Sequence, residues 1–216
     1  MDRDSAYRNG SELLGQNLLM AELSDFIVSK TRVKLLEVFL GGVGGTRQMH
    51  HVRELVRMVD EEINAVRREL ARMEEIGLVR REPRGNRVYY SVRTDYPFYP
   101  ELLELVSKTT GLGAEIRKNK DKLGKVSYVM FSGRFIRWLP RKSEDEVDVL
   151  LIGDIVLPEL ASLVREEQKR RGDEINYTPM TKEEFEFRKK RRDPFLLSVL
   201  SGNRVMILGE EEGFLS

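Results

Sequence analysis

The sequence has no cysteine among its 216 residues, and only two histidines and one tryptophan. The missing cysteines exclude disulfide bridges, thiol catalysis and zinc sites built on thiolates. The two histidines, His50 and His51, are neighbours on a predicted helix, so their imidazoles point apart and we expect no metal site there. No long apolar run and no basic start before an apolar segment occurs. The sequence therefore predicts a cytoplasmic protein without a membrane span or signal peptide.

Charge is nearly balanced, with 37 lysines and arginines against 36 aspartates and glutamates. This balance excludes a uniformly basic nucleic-acid binder, but it does not exclude a local basic patch. Such a patch lies in residues 79–93, VRREPRGNRVYYSVR, where Glu82 is the only acid among the arginines. With 40% hydrophobic and 34% charged residues, the composition is typical of a globular protein, and the length suits two small domains.

Three helices are predicted in the first half of the chain. Residues 24–40 repeat apolar side chains every three or four positions, which indicates a helix with one buried face. A short helix follows in residues 49–59, and a third ends near Gly77, with Asp60 as its predicted N-cap. The glycine run GGVGG between the first two helices lacks the Lys-Ser/Thr of a phosphate-binding loop, and we interpret it as a connection.

The third helix combines an apolar and a polar face. At about 100° per residue, Ile63, Val66, Leu70 and Met73 lie on one side. The opposite side carries amide and guanidinium groups, the side chains that best bond base edges and phosphates in the major groove of DNA. These residues are Asn64, Arg68 and Arg72, with Arg67 on the flank. A solvated helix face with Glu/Arg pairs is the alternative interpretation.

A basic hairpin is predicted after the third helix, because two strands with alternating apolar residues are joined at PRGN, residues 83–86. The order of these elements resembles the winged helix-turn-helix of ArsR-like transcriptional regulators over roughly residues 24–96. It consists of a helix, a short helix, a basic helix and a basic hairpin. The resemblance implies a double-stranded DNA partner, with the third helix in the major groove. It also places Arg84, Asn86 and Arg87 of the wing beside a minor groove or phosphates. We expect a homodimer, because paired half-sites add affinity that one short helix lacks.

The second half of the sequence alternates predicted strands and helices. A helix that begins at a pair of prolines and is broken by Gly111 and Gly113 separates the halves. We therefore divide the chain into an N-terminal helical extension, residues 1–23, a DNA-binding domain, residues 24–110, and a second domain, residues 111–216. The predicted fold class is α+β, with a winged helix-turn-helix followed by a small α/β domain that contains a mixed sheet.

The start of the second domain resembles a minimal nucleotidyltransferase. Strand VSYVMF, then SGRF, a polar loop and strand EVDVLLIG carry this resemblance, which covers about residues 114–210 and, combined with a winged helix, is similar to archaeal regulators. In that family a Gly-Ser corner binds a triphosphate, two acids on one strand hold magnesium, and a third acid acts as base or metal ligand. The resemblance implies a nucleotide site at Ser132, Gly133, Arg134, Glu146 and Asp148.

This sequence departs from the nucleotidyltransferase pattern at three points. Ser132–Gly133 reverses the corner, Glu146 replaces the first aspartate, and Asn176 stands where the third acid is expected. An amide cannot act as a base, and magnesium tolerates little change in ligand position. We therefore expect a catalytically inactive domain without a required cofactor, which acts as a ligand sensor or assembly module. The alternative is an active magnesium-dependent nucleotidyltransferase with a DNA-binding domain used for autoregulation.

Two interpretations remain open for the loop that follows Gly133. Arg134, Arg137 and Arg141 share this loop with Trp138. They either hold a nucleotide or another small anionic ligand, with the indole stacked on a base, or Phe135 and Trp138 fill the former cleft and leave the arginines on the surface. A third class of function is a protein-interaction module whose basic wing binds an acidic partner.

Overall fold

The computed structural model describes residues 27–42 and 49–216. In these ranges it has ten helices and two sheets, one of them mixed, which confirms the α+β class. None of the helices in this part of the chain combines the length and the apolar character needed to cross a membrane. The predicted extension, residues 1–23, and residues 43–45 of the glycine run lie outside the described residues.

The first half consists of three helices and a small antiparallel sheet. Its elements are α1 (Lys30–Gly41), β1 (His50–His51), α2 (Val52–Val59), α3 (Ile63–Glu75), β2 (Val79–Arg84) and β3 (Arg87–Val92). The sheet order is β1-β3-β2. The hairpin turns at the predicted place, since Arg84 lies opposite Arg87 and Gly85 has a left-handed φ of 56°. The glycine at this turn suits that conformation because it has no Cβ.

The predicted N-cap of the third helix is wrong. Asp60 ends α2 with a left-handed φ of 50°, and α3 begins at Ile63. Its N-cap is Glu62, whose carboxylate accepts hydrogen bonds from the backbone N–H groups of Asn64 at 2.7 Å and Ala65 at 3.1 Å. Glu62, with its longer side chain, therefore binds the free backbone N–H groups at the start of α3 that we expected Asp60, two positions earlier, to bind.

The two histidines lie on strand β1 and not on a helix, which corrects the sequence prediction. His51 is the N-cap of α2, and its Nδ1 accepts a hydrogen bond from the Glu54 N–H at 2.9 Å. His50 is buried, with its ring in edge contact with Phe39 at a centroid distance of 6.2 Å. Successive residues of a strand point to opposite faces, so the imidazoles still diverge.

A buried carboxylate ties α3 to the start of α1. Val66, Leu70 and Met73 are buried as predicted, but Glu69 is buried with them at 6% exposure. Its carboxylate accepts hydrogen bonds from Ser29 Oγ at 2.9 Å and Arg32 Nε at 2.8 Å. Because buried charges are tolerated only when paired, this contact fixes the two helices relative to each other.

The second half wraps helices around a four-stranded sheet of order β6-β5-β4-β7, in which β5 and β6 are parallel and the other pairs antiparallel. Its elements are α4 (Tyr99–Thr109), α5 (Gly111–Lys118), β4 (Gly124–Ser132), α6 (Gly133–Ile136), β5 (Val149–Ile155), α7 (Leu157–Arg171), β6 (Tyr177–Met180), α8 (Lys182–Lys190), α9 (Pro194–Ser201), β7 (Arg204–Leu208) and α10 (Glu211–Leu215). Helix α7 makes the crossover that the parallel pair requires.

Two further local predictions need correction. The break between α4 and α5 falls at Thr110, so Gly111 and Gly113 belong to α5. A Cβ on Gly113 would lie 1.9 Å from the Ser107 carbonyl oxygen, so this glycine permits close packing of the two helices. Strand β5 begins at Val149, so the acids predicted to lie on it come from the preceding loop.

The predicted boundary near residue 110 crosses a continuous hydrophobic cluster. Helix α4 contacts both α1 and β7. Buried residues of one cluster run from Leu40 in α1 through Val106 in α4 to Phe131 in β4. The two halves therefore share packing and are not separated by an uncontacted linker.

We predict that Glu69→Gln lowers the free energy of unfolding by about 1–3 kcal/mol at neutral pH, because charged hydrogen bonds to Ser29 and Arg32 are lost. Burial raises the pKa of the Glu69 carboxyl, but these hydrogen bonds outweigh burial and the pKa lies below its ordinary value. Such a group contributes stability above its unfolded pKa, about 4.3, and loses it as the pH falls through the folded pKa. The measurement is urea unfolding from neutral to acidic pH, where the difference from wild type should shrink at the acidic end.

The control is Glu74→Gln, which makes the same change at an exposed position of α3. It should stay within about 0.5 kcal/mol of wild type at every pH. Equal losses in the two variants would show that Glu69 has no special structural role.

Candidate functional site

The exposed face of α3 carries the predicted polar residues. Asn64, Arg67, Arg68 and Arg72 are all exposed, opposite the buried face of the helix. Arg72 Nη1 lies 3.1 Å from Glu69 Oε1, yet its side chain remains 61% exposed. The helix thus presents one amide and three guanidinium groups on one surface.

A groove between α3 and the β2–β3 hairpin gathers arginines from four elements. It has a volume of about 690 Å³, and its arginines are Arg53 from α2, Arg67 from α3, Arg81 from β2 and Arg87 from β3. Asn86 at the hairpin turn also lines it, and no acid is among its described lining residues. We call these four residues the arginine groove. Uncompensated guanidinium groups at this density favour a polyanion.

Sequence reasoning missed two members of the arginine groove. Arg81 lies in the basic run, and its register partner on β3 is Tyr90, which also lines the groove. Arg81 could have been predicted from the sequence. Side chains alternate along a strand, so Arg81 lies on the same face of β2 as Val79, two residues earlier. Arg53 could not, since nothing local indicates that the first turn of α2 faces the hairpin.

Arg84, which we predicted to contact phosphate, does not line the arginine groove. Its Nε lies 2.8 Å from Glu82 Oε1, and its guanidinium carbon lies 5.8 Å from the centroid of the Tyr89 ring. Its charge is thus partly compensated by a neighbour on the same strand. At 57% side-chain exposure it remains accessible at the hairpin tip.

In the second half, Ser132 and Gly133 form the start of α6, as the sequence predicts. The Ser132 hydroxyl oxygen caps the helix by accepting a hydrogen bond from the Phe135 N–H at 3.2 Å. Gly133 is pressed against β7, because its N–H donates to the Asn203 carbonyl at 2.6 Å and an added Cβ would lie 2.8 Å from Asn203 Cβ. Close backbone approach therefore explains this glycine without a ligand.

The two acids line different clefts, which adjoin along the loop that contains Lys142, Ser143 and Glu144. Glu146 lines a cleft of about 1010 Å³ together with Ser132, Gly133 and Arg134. Asp148 lines a neighbouring cavity of about 560 Å³ and is not among the residues of the larger one. Two carboxylates that share a metal must converge on one point. Four of the five predicted nucleotide-site residues thus meet in one cleft, and Asp148 lies outside it.

Each of these acids has an arginine partner. Arg141 Nη1 donates a hydrogen bond to Asp148 Oδ2 at 2.7 Å and to the Glu174 carbonyl at 2.9 Å. The hydrogen bond to Asp148 raises the pKa of the Arg141 guanidinium. Arg134 Nε lies 3.5 Å from Glu146 Oε2. The protein itself thus supplies a positive partner to each carboxylate, which leaves less negative charge to attract a divalent ion.

Asn176, at the position expected for a third acid, holds the acidic loop in place. Its Nδ2 donates to the carbonyls of Glu144 at 3.1 Å and Glu146 at 3.0 Å. Its backbone N–H donates to Asp148 Oδ2 at 2.9 Å, and its carbonyl accepts from the Asp148 N–H at 2.8 Å. A carboxylate lacks the donors for the first two bonds, so the amide is structurally required here.

Comparison with protein-family models, with curated proteins and with solved structures finds no match for this chain. The function must therefore be inferred from the geometry. Two features are informative. The arginine groove has no acid among its described lining residues, whereas the acids of the two clefts are paired with arginines.

We predict that Asn176→Asp destabilises the protein by about 2–3 kcal/mol, because two hydrogen bonds are replaced by contacts between a carboxylate and carbonyl oxygens. Urea unfolding at neutral pH measures the change. Asn203→Asp, the same substitution at an exposed residue, is the matched control and should have little effect. A wild-type stability for Asn176→Asp would contradict the structural role of the amide.

Proposed function

We propose that this protein is a DNA-binding transcriptional regulator, in which α2, α3 and the β2–β3 hairpin form a winged helix-turn-helix. The arginine groove is the observation that carries this proposal. Its four guanidinium groups come from separate elements, lie on one groove and have no acidic neighbour among the described lining residues. Duplex DNA presents closely spaced phosphates, so a cluster of this kind suits its backbone.

The adjoining face of α3 supports DNA over an acidic protein partner. Asn64, Arg67 and Arg68 are exposed on a helix next to the groove. In the proposed complex they read base edges, because Asn pairs with adenine and Arg with guanine in the major groove. Arg72, Arg84, Asn86 and Arg87 contact the backbone. The protein acts as a homodimer on paired half-sites, which compensates for the small surface of one reading helix.

The second half, in this proposal, is a nucleotidyltransferase-like domain that does not transfer nucleotides. The placement of Glu146 and Asp148 in different clefts and their pairing with Arg134 and Arg141 support this assignment. The cleft of about 1010 Å³ gives the domain a place for a small charged ligand, with Arg134 and Lys142 among its lining residues. Ligand sensing is the role that such a cleft supports.

We predict that Arg87→Ala weakens binding to duplex DNA of any sequence and lowers the slope of log affinity against log salt by about one, because one phosphate contact is lost. Fluorescence anisotropy with a labelled random duplex, titrated over a salt series, measures both quantities. The control is Arg165→Ala, which removes the same charge from an exposed position of α7.

Equal effects of Arg87→Ala and Arg165→Ala would show that the groove contributes to DNA binding no more than any other exposed positive charge. Absence of DNA binding by the wild-type protein at low salt would overturn the proposed function.

We further predict no magnesium-dependent binding of ATP, CTP or GTP in calorimetric titrations, because arginines already compensate Glu146 and Asp148. Any nucleotide bound through the larger cleft should need no magnesium, in wild type and in Asp148→Asn alike, since Asp148 does not line that cleft. Magnesium-dependent binding that Asp148→Asn abolishes would instead establish an active transferase site.

A further inference from the structure

The only tryptophan of the chain packs against the end of α1. Trp138 has a left-handed φ of 56°, which is strained for a bulky side chain, so the surrounding contacts must hold it. Its indole covers Gly42, the C-cap of α1, so closely that an added Cβ at Gly42 would lie 1.5 Å from Trp138 Cε2. The contact leaves no space for one additional carbon atom.

A buried arginine also packs against the indole. The guanidinium carbon of Arg171 lies 3.6 Å from the ring centroid of Phe135 and 3.8 Å from that of Trp138. Burial lowers the pKa of Arg171, but a guanidinium stays protonated at neutral pH. Its Nε lies 2.9 Å from Glu167 Oε1, and its side chain is only 11% exposed. The stacked cation and its carboxylate form a rigid support for Trp138.

The neighbouring arginine connects the same carboxylate to α1. Arg170 Nη2 lies 2.6 Å from Glu167 Oε1, and Arg170 Nη1 donates a hydrogen bond to the Gly41 carbonyl at 3.2 Å. That carbonyl is among the last of α1, where a helix lacks partners of its own and favours a cation. We call Gly41, Gly42, Trp138, Arg170 and Arg171 the joint.

The loop that bears Trp138 also bears the arginine partner of Asp148. Three residues after the indole, Arg141 is paired with Asp148 at 2.7 Å. Between them, Pro140 accepts a hydrogen bond through its carbonyl from Arg134 Nε at 3.0 Å. Trp138, Arg141 and Asp148 line the same cavity of about 560 Å³. A change in the pairing of Asp148 therefore acts on a short loop whose other end is wedged against α1.

We propose that the joint couples this cavity to the DNA-binding half. Breaking the Arg141–Asp148 pair releases the loop, shifts Trp138, and moves the end of α1, which contacts both α2 and α3. Tightly packed contacts transmit such shifts because there is no free volume between the side chains to absorb them. The output on DNA rests on the proposed function, whereas the coupling from the cavity to α1 does not.

The first test compares two glycine substitutions in the full chain. Gly42 and Gly172 are both helix C-caps with left-handed φ values of 80° and 69°, but a Cβ on Gly172 meets nothing within 4 Å. Both Gly→Ala changes therefore impose similar backbone strain, and only Gly42→Ala expels the indole. Because Trp138 is the sole tryptophan, its emission reports on the joint alone. We expect a red shift and stronger acrylamide quenching for Gly42→Ala, and wild-type values for Gly172→Ala.

The second test begins at the cavity, with Asp148→Asn against Asp154→Asn. Both acids are in the same loop–strand segment, but Asp154 is exposed on β5. Trp138 emission and hydrogen exchange of α1 and α3 are measured on each variant, and DNA affinity by anisotropy. We expect Asp148→Asn to shift the emission, to raise exchange in α1 and α3 and to change DNA affinity severalfold, while Asp154→Asn matches wild type.

The outcomes separate the joint from the proposed function. Raised exchange in α1 without any DNA binding by the wild-type protein would retain the joint and reject the regulator. If Asp148→Asn and Asp154→Asn agree in both Trp138 emission and exchange of α1, the coupling is overturned whatever the DNA affinity. That second comparison decides the matter even if Gly42→Ala does not fold.

Discussion

One buried carboxylate, Glu167, organises the contact between the two halves of the chain. It is only 5% exposed, and it binds Arg170 at 2.6 Å and Arg171 at 2.9 Å. A carboxylate left unpaired in such a place costs several kcal/mol, so the two arginines have no competing position of similar energy. Their placement in turn fixes the guanidinium plane against which Trp138 stacks. It also fixes the guanidinium group that bonds to the end of α1. The contact between α7 and the end of α1 therefore depends on ion pairs made within α7.

The distribution of compensated and uncompensated charge distinguishes the surfaces of this protein. In the acid-bearing clefts, Asp148 has Arg141 and Glu146 has Arg134, so little field remains for a metal ion. In the arginine groove the described lining residues supply no acid, so the field of four guanidinium groups extends into solvent. A nearly neutral chain can thus carry a strongly positive groove, because its acids are engaged elsewhere. The net charge of the chain does not show this difference between surfaces. It becomes visible only when each arginine is matched to its acidic partner.

Features of local origin could be predicted from the sequence, whereas features of tertiary origin could not. The 3.6-residue period identified the buried face of α3, and PRGN placed the hairpin turn, since both depend on neighbours in the chain. The position of the two acids was predicted wrongly because two acids spaced by one residue before an apolar run suggest a strand, whereas β5 begins only at Val149 and each acid pairs with an arginine earlier in the chain. Arg53 escaped prediction because its place in the groove depends on how α2 packs. The burial of Glu69 likewise depends on Ser29, the N-cap of α1, and on Arg32 in its first turn.

The pairing of Asp148 also restricts what can act on the cavity. Its side chain is 7% exposed and that of Arg141 is 25% exposed, so separating them leaves a nearly buried carboxylate without its cation. A ligand shifts an equilibrium only by its difference in affinity for the two arrangements. A neutral molecule replaces neither charge of this ion pair, whereas a cation at Asp148 or an anion at Arg141 replaces one of them. Because each factor of ten in population requires about 1.4 kcal/mol, a charged ligand moves the proposed joint only as far as its preference for the separated pair exceeds the energy of that pair.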